Sequence, residues 1–449
     1  MSTLKCCCRR INERGQGVGY SEQGIPVFAS NWLVDEVAWL EIYQVKATYI
    51  LARVERIENP SPLRETPFCK HFGKCGGCQL QHMNLRAQHQ LKTSLFNEYW
   101  TAESMSPVEL EWVQGQAKGY RTKLILPIEW QEEQGLPRVG FYQIHSRKLE
   151  PISSCAIHSP SIDLLIQQLP LWLERWKKSW PGFESRLKPW QYVHFIYARQ
   201  TNSHSALHLA FGLKKRISDP LWAARFMQSA PEGLEISGLS SVIQSEATNV
   251  WIEGDIQFES GIASMTLEAG GYHFEIDPFA FQQVNPQMAA LIKNQMVTWI
   301  KELNPSGLLE LYCGAGVLAN LLAKETQIPI VGVDNSKANI LSAQVSAKKM
   351  GSKAQFYCED ALAWVKNNPD RNGSIWMLNP PRKGLGKELI DLIQQQKPEY
   401  LIYMACGQKA LAKDASILQE RYEIKNFKAY DMFAQTMHFE TLSLWQKRS

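Results

Sequence analysis

Leu308-Leu-Glu-Leu-Tyr-Cys-Gly-Ala-Gly-Val317 is the stretch that decides the fold. A short apolar run enters a Gly-X-Gly turn, and the residues after it read as a helix, so the segment is strand, tight turn, helix. Glycines in such a turn let backbone approach a bound ligand closely. Working outward, Asn285-Pro286 reads as a helix N-cap and first turn. Met288, Leu291, Ile292, Met296, Trp299, Ile300 and Leu303 follow at helical spacing. Leu308–Tyr312, Ile328–Val333, Ser374–Leu378 and Tyr400–Met404 read as strands separated by helical or loop segments. Regular βαβ alternation predicts an α/β fold over 270–449, with a doubly wound, mostly parallel sheet.

Such a sheet binds ligands outside the carboxyl ends of its strands. The turn lacks the third glycine of a dinucleotide fingerprint, and no Gly-Lys-Ser/Thr of a P-loop lies near it. Asp334 ends the next strand, in Val331-Gly-Val-Asp334, where a carboxylate can accept both ribose hydroxyls. A nucleoside site without a phosphate cradle suits S-adenosylmethionine better than NAD. The strand Ser374–Leu378 runs into Asn379-Pro-Pro-Arg-Lys-Gly384, and Tyr400–Met404 runs into Ala405-Cys406-Gly407. A thiol at that edge is placed to act as a nucleophile, with a buried packing thiol as the competing reading. His438 and Glu440, two residues apart before the strand-like Thr441–Trp445, face the same way if extended. Either suits a base, or a solvated turn.

The 449 residues, 45% hydrophobic and 20% charged, exclude a disordered, collagen-like or low-complexity chain and suggest two or three domains. No run approaches the ~20 apolar residues of a membrane span, and Met1–Arg10 is no secretory signal. A soluble, cytoplasmic protein without membrane partners is expected. The net charge of +4, from 48 basic and 44 acidic residues, permits nucleic-acid binding without requiring it. The ten cysteines, in such a compartment, point to metal or catalysis rather than disulfides. Residues 1–67 read as a small β-barrel and Pro-rich linker, 68–269 as a mixed α/β central domain, and 270–449 as the βαβ domain. Cys6–Cys8 read as incidental thiols on a flexible tail. Trp172, Trp176, Trp180 and Trp190 read as packing groups rather than base-stacking platforms, and Lys214-Lys-Arg216 as a solvated turn.

Together these motifs resemble the RNA uracil-C5 methyltransferases, in particular the iron–sulfur branch that modifies 23S rRNA. The resemblance runs through Cys69-X5-Cys75-Gly-Gly-Cys78-Gln-Leu-Gln-His82, Tyr120-Arg-Thr-Lys123, Phe281-Gln-Gln-Val-Asn285 and Leu311-Tyr-Cys-Gly-Ala-Gly316. It continues through Pro380–Gly384, Tyr403-Met-Ala-Cys406, Leu411-Ala-Lys-Asp414 and Asp431–Glu440. It implies a class I methyltransferase domain, a central iron–sulfur domain and a TRAM (OB-like) barrel. It makes Cys406 the nucleophile that adds to uracil C6 and Glu440 the base. Gln283, Tyr312, Gly314, Gly316, Asp334 and Asn379 would contact S-adenosylmethionine. Cys69, Cys75, Cys78 and Cys155 would hold a [4Fe-4S] cluster that staples the central domain, with zinc as the competitor. The partner would be structured RNA, ribosomal by this resemblance with tRNA still open, and the enzyme a monomer without an obligate protein partner. Asn379 stands where the family has Asp, Ala405 where it has Ser, Gly407-Gln408 where it has Asn-Pro, Ala434 where it has Pro, and Asp334 where it has Glu. Two other readings follow from these departures: an amino-methyltransferase using the Asn-Pro-Pro loop, and a non-catalytic RNA-binding paralogue.

Overall fold

The computed structural model describes residues 3–131, 135–144, 146–179, 193–201, 205–244, 252, 254–369 and 373–449. Its C-terminal sheet has eight strands. In spatial order they are Gln355–Cys358, Ile330–Asp334, Leu308–Leu311, Ile375–Leu378, Tyr400–Ala405, Glu440–Lys447, Tyr422–Tyr430 and Glu111–Val113. The first five are mutually parallel. Leu308–Leu311 and Ile375–Leu378 are buried throughout, as strands covered by helices on both faces must be. One helical layer shares a core of Ile292, Met296, Leu322 and Ile340, and the other a core of Trp364, Ile390 and Leu411. Strand order reverses at Leu308–Leu311, whose neighbours lead in opposite directions, so a crevice opens beyond the carboxyl ends there. The Asn285 cap forms as expected, its side chain accepting from Met288 N at 3.2 Å.

Glu440–Lys447 runs antiparallel between Tyr400–Ala405 and Tyr422–Tyr430. The edge strand Glu111–Val113 comes from the N-terminal half and pairs in parallel with Tyr422–Tyr430. The preceding helix Leu85–Ala102 packs Phe96 and Trp100 into the core that holds Leu309 and Leu401. Residues 85–113 therefore fold with the methyltransferase sheet, although by chain order they fall inside the central segment.

The central sheet runs in the order Leu149–Pro151, Arg138–Tyr142, Lys123–Glu129, Val193–Gln200, Leu207–Leu213, Ile236–Ile243, Asp255–Gly261. Helix Pro160–Lys178 covers it, burying Trp172 and Trp176, and Trp172 stacks on Phe226 with ring centres 4.0 Å apart. Trp180 and Trp190 lie outside the described residues. At the N-terminus, six strands between Thr3 and Ile57 form one sheet whose edges are Thr3–Cys7 and Arg10–Ile11. Only two residues separate those edges along the chain, so the sheet curls back on itself. Cys6 and Cys8 are buried inside it, and burial pushes the Cys8 thiol up to about 12. These cysteines belong to a strand and its core rather than to a flexible tail. The Pro-rich segment is also pinned, by Arg64 to the buried Glu36 at 2.6 Å. Among the described residues no helix is long and apolar enough to cross a membrane.

Candidate active site

A cavity of about 390 Å³ lies at the reversal point, lined by Gln283, Lys293, Glu310, Tyr312, Gly314 and Asn379 among others. Gln283 is held beside it because Val284 O accepts from both Thr122 N (2.8 Å) and Thr122 Oγ1 (3.1 Å). Tyr312 adopts φ 62°, which turns the chain out of the strand and into the glycine turn. Gly316 does not line the cavity. A Cβ there would sit 2.5 Å from Ala343 Cβ, so this glycine lets two helices approach. Asp334 does not line it either. Its Oδ2 accepts from Gly314 N at 3.0 Å, and its Oδ1 from Ser336 N at 2.8 Å and Asn339 Nδ2 at 3.0 Å. The acid at the strand end thus fastens the turn that borders the cavity. Deeper in, burial pushes Glu310 up to about 8 and Lys293 down to about 8. The apolar walls, the close-approach turn and a buried orphan carboxylate oxygen fit a charged nucleoside such as S-adenosylmethionine.

On the neighbouring strand pair, Ala405 is opposite Thr441, so Cys406 just beyond one faces Glu440 just before the other. Cys406 lines a second cavity, of about 310 Å³, together with Arg382, Gln408 and His438. Burial and the Glu440 carboxylate raise the thiol's pKa, while Arg382 opposes them by charge and hydrogen bond. Glu440 is 3% exposed, and burial pushes it up to about 8 against the pull of Arg382. A thiol, a buried carboxyl and one shared cation therefore meet at a single strand edge. Two residues that depart from the family pattern, Gly407 and Gln408, sit closely packed at this edge. A Cβ at Gly407 would lie 2.4 Å from Arg382 O. Gln408 Nε2 donates to Ala405 O at 3.2 Å and to Phe439 O at 3.1 Å, the carbonyls just before Cys406 and Glu440.

Residues 369–448, which carry this strand edge, match the family described as tRNA (Uracil-5-)-methyltransferase, and residues 288–401 match the methyltransferase small domain. An uncharacterized RNA methyltransferase of Clostridium tetani is 26% identical, over 99% of this chain and 96% of its own length. The 23S rRNA (uracil(1939)-C(5))-methyltransferase of Shewanella denitrificans is 27% identical, over 97% and 94%. The chain belongs to the RNA uracil-C5 methyltransferase family. Its fold matches that of Pyrococcus abyssi tRNA (uracil-54, C5)-methyltransferase, solved with S-adenosyl-L-homocysteine, at a TM-score of 0.75 and 20% identity over 98% of this chain and 100% of that one.

In this RNA uracil-C5 methyltransferase the loop from Asp431 to Glu440 is held by elements far away in sequence. Asp431 is fully buried between Lys92 (2.8 Å) and His89 (3.2 Å) of helix Leu85–Ala102. Burial alone would raise the Asp431 carboxyl, but His89 and Lys92 bring it below its usual range. Gln435 exchanges two hydrogen bonds with Gln88, each 3.0 Å. Tyr120 Oη donates to Ala434 O at 2.8 Å. Of these partners only Tyr120 lies in a motif quoted above; Gln88, His89 and Lys92 carried no such signal. A groove of about 620 Å³ extends from His438 past Gly76 to Tyr142 and shares Glu13, Met437 and His438 with the thiol cavity.

Cys69, Cys75, Cys78 and Cys155 line a third cavity, of about 300 Å³, with Arg121 and Lys123. Burial pushes Cys78 and Cys155 up to about 12, so the thiols alone hold their protons. The cations crowd as well: burial, then Arg199 and Arg121, bring Lys123 down to about 8. Among the described residues no three His, Cys, Asp or Glu side chains converge tightly enough for a single metal ion. One zinc would gather four sulfurs to within about 4 Å of each other, given Zn–S of about 2.3 Å. The four thiols thus share one cavity with two cations, without the convergence a single zinc would need.

Proposed function

We propose that this enzyme methylates C5 of a uridine in structured RNA, with 23S rRNA as the favoured substrate, through a covalent bond between Cys406 and uracil C6. The observation that carries the reading is the opposition of Cys406 and Glu440 across paired strands, at the carboxyl edge beside Asn379. S-adenosylmethionine supplies an electrophilic methyl group. Uracil C5 is a poor nucleophile until Cys406 Sγ bonds to C6 and the C5=C6 electrons move onto the C4 carbonyl as an enolate. C5 then takes the methyl group. Glu440 removes the C5 proton, the C5=C6 bond re-forms and the C6–S bond breaks, returning the thiolate. Arg382, facing both groups, steadies the thiolate before addition and after release. A base reaches Cys406 only if it leaves its stack, and the groove past His438 suits the flanking strand. Gln283, Tyr312, Gly314 and Asn379 contact the donor, Asp334 takes its ribose hydroxyls while fastening Gly314, and Gly316 gives the turn its close approach.

Cys69, Cys75, Cys78 and Cys155 would hold a [4Fe-4S] cluster whose part is to staple the central domain, since no step above transfers an electron. The barrel would act as a TRAM-type RNA-binding module, and the chain as a cytoplasmic monomer divided near 67 and 269.

The decisive test is incubation with S-adenosylmethionine and 5-fluorouridine-containing 23S rRNA. Fluorine at C5 leaves no proton to remove, so the wild type should become trapped in an adduct stable to denaturation and Cys406→Ala should not. Methylation by Cys406→Ala would instead favour amino-group chemistry, and RNA binding without methyl transfer a non-catalytic role.

A further inference from the structure

The motif Leu411-Ala-Lys-Asp414 takes no part in the steps above, yet it places a carboxylate inside the fold. Asp414, on helix Gln408–Leu418, is buried. Its Oδ2 accepts from Leu385 N at 2.8 Å and from Tyr403 Oη at 2.6 Å, and Gly386 N also donates to the carboxylate. Leu385 and Gly386 belong to the loop that follows strand Ile375–Leu378. Gly384 in that loop has φ 81°, and a Cβ on it would lie 2.5 Å from Asp414 Oδ2. At the start of the loop Asn379 borders the donor cavity, and at its exposed crest Arg382 reaches back to Cys406. The Arg382 carbonyl abuts Gly407, beside the thiol.

An arginine on an exposed turn wanders unless its backbone is fixed, and its charge acts on a thiol only from within a few ångströms. Asp414 supplies the fixing. A buried carboxylate is costly to leave without donors, so the loop amides and the carboxylate hold each other in place. We infer that Asp414 is a positioning residue for methyl transfer, clamping the loop Pro380–Gly386 so that Arg382 stays against Cys406. The inference rests on the reading of Arg382 as the group that steadies the thiolate, and deepens it by naming what holds that group.

Alkylation of Cys406 by iodoacetamide at pH 8, followed on the full chain by peptide mass spectrometry, tests the clamp. Asp414→Ala should slow it by about 4- to 10-fold, the effect of a thiol pKa raised by about one unit less the gain in nucleophilicity. Arg382→Met should slow it as much, and the double variant no further. Gly384→Ala, which pushes the loop off an intact Asp414, should slow it too, and Asp414→Asn, which keeps an acceptor for the loop amides, should restore most of the rate. Glu13, Lys92, Lys409, His438 and Glu440, the other charged or titratable groups about the thiol, and Tyr403, which feels its charge, are unaltered in every variant. Losing the Asp414 charge alone, or loosening the fold around the thiol, would speed alkylation, so the sign separates positioning from a merely structural role. A rate at or above the wild type in Asp414→Ala and Gly384→Ala, with Arg382→Met slowed, overturns the clamp and leaves the role of Arg382 standing. If Arg382→Met is not slowed, that role falls and takes the clamp with it. Should Asp414→Ala no longer melt cooperatively, Gly384→Ala decides.

Discussion

The donor cavity and the thiol cavity open on the same edge of one sheet, but they are assembled differently. Most of the donor cavity's wall comes from one local run of chain, the helix Pro286–Leu303, the strand Leu308–Leu311, the turn after it and the helix Val317–Thr326. The thiol cavity draws on Glu13, Lys92, Arg382, Cys406 and His438, which meet only in the complete fold. A small rigid ligand can be held by one βαβ unit, whereas a base presented by a large RNA needs walls from several parts of the molecule. Damage far from the chemistry should therefore impair the thiol cavity and spare the donor cavity.

Glu440→Gln should separate the two most sharply. Methyl transfer to the trapped base would proceed, but release should slow by about 10²- to 10⁴-fold. A denaturation-stable adduct should then accumulate with ordinary RNA, while S-adenosylhomocysteine affinity stays at the wild-type value; gel mobility and calorimetry read the two. Lys92→Met leaves Asp431 buried without its main partner and should destabilise the protein by about 3–5 kcal/mol in denaturant titrations. Adding Asp431→Asn should recover much of that loss, which a purely steric role for Lys92 would not allow.

Gln408→Ala should have a smaller effect, about tenfold in kcat with donor affinity unchanged, because one amide bridging two carbonyls is removed. The comparison also extends to pH dependence. Glu440 holds its proton in the folded state up to about 8 but loses it near 4.5 when unfolded. Its contribution to stability is full below 4.5 and is lost as pH rises toward 8. The melting temperature of Glu440→Gln should accordingly gain on the wild type between pH 5 and pH 8, and parallel curves would contradict the burial of that carboxyl.

Much of the donor side was legible in the sequence because its signals are local. The Asn285 cap, the strand at Leu308 and the glycine turn each announce themselves within a few residues. Asp334 was recognisable as a strand-end acid, but not its use in fastening Gly314, which depends on the path of the turn. The strand Tyr422–Tyr430 went unread because Glu423, Lys425, Asn426 and Lys428 dilute its apolar pattern. On the thiol side, spacing offered Cys406 and Glu440 only as candidates among others, and the family resemblance selected them. The Lys92–Asp431 pair spans 339 residues of chain, beyond any periodicity. Gln408 looked like a loss from the family pattern, and only the folded chain shows it bridging the carbonyls just before Cys406 and Glu440.

The short strand Glu111–Val113 has a practical consequence for anyone dissecting this enzyme. A fragment beginning at 270 would carry every donor contact proposed above, yet it would expose the hydrogen-bonding flank of Tyr422–Tyr430 that Glu111–Val113 covers in the intact chain. Bare flanks of that kind recruit strands from other copies, so such a fragment should self-associate, and a fragment starting near Asn84 is the better choice for studying the C-terminal half alone.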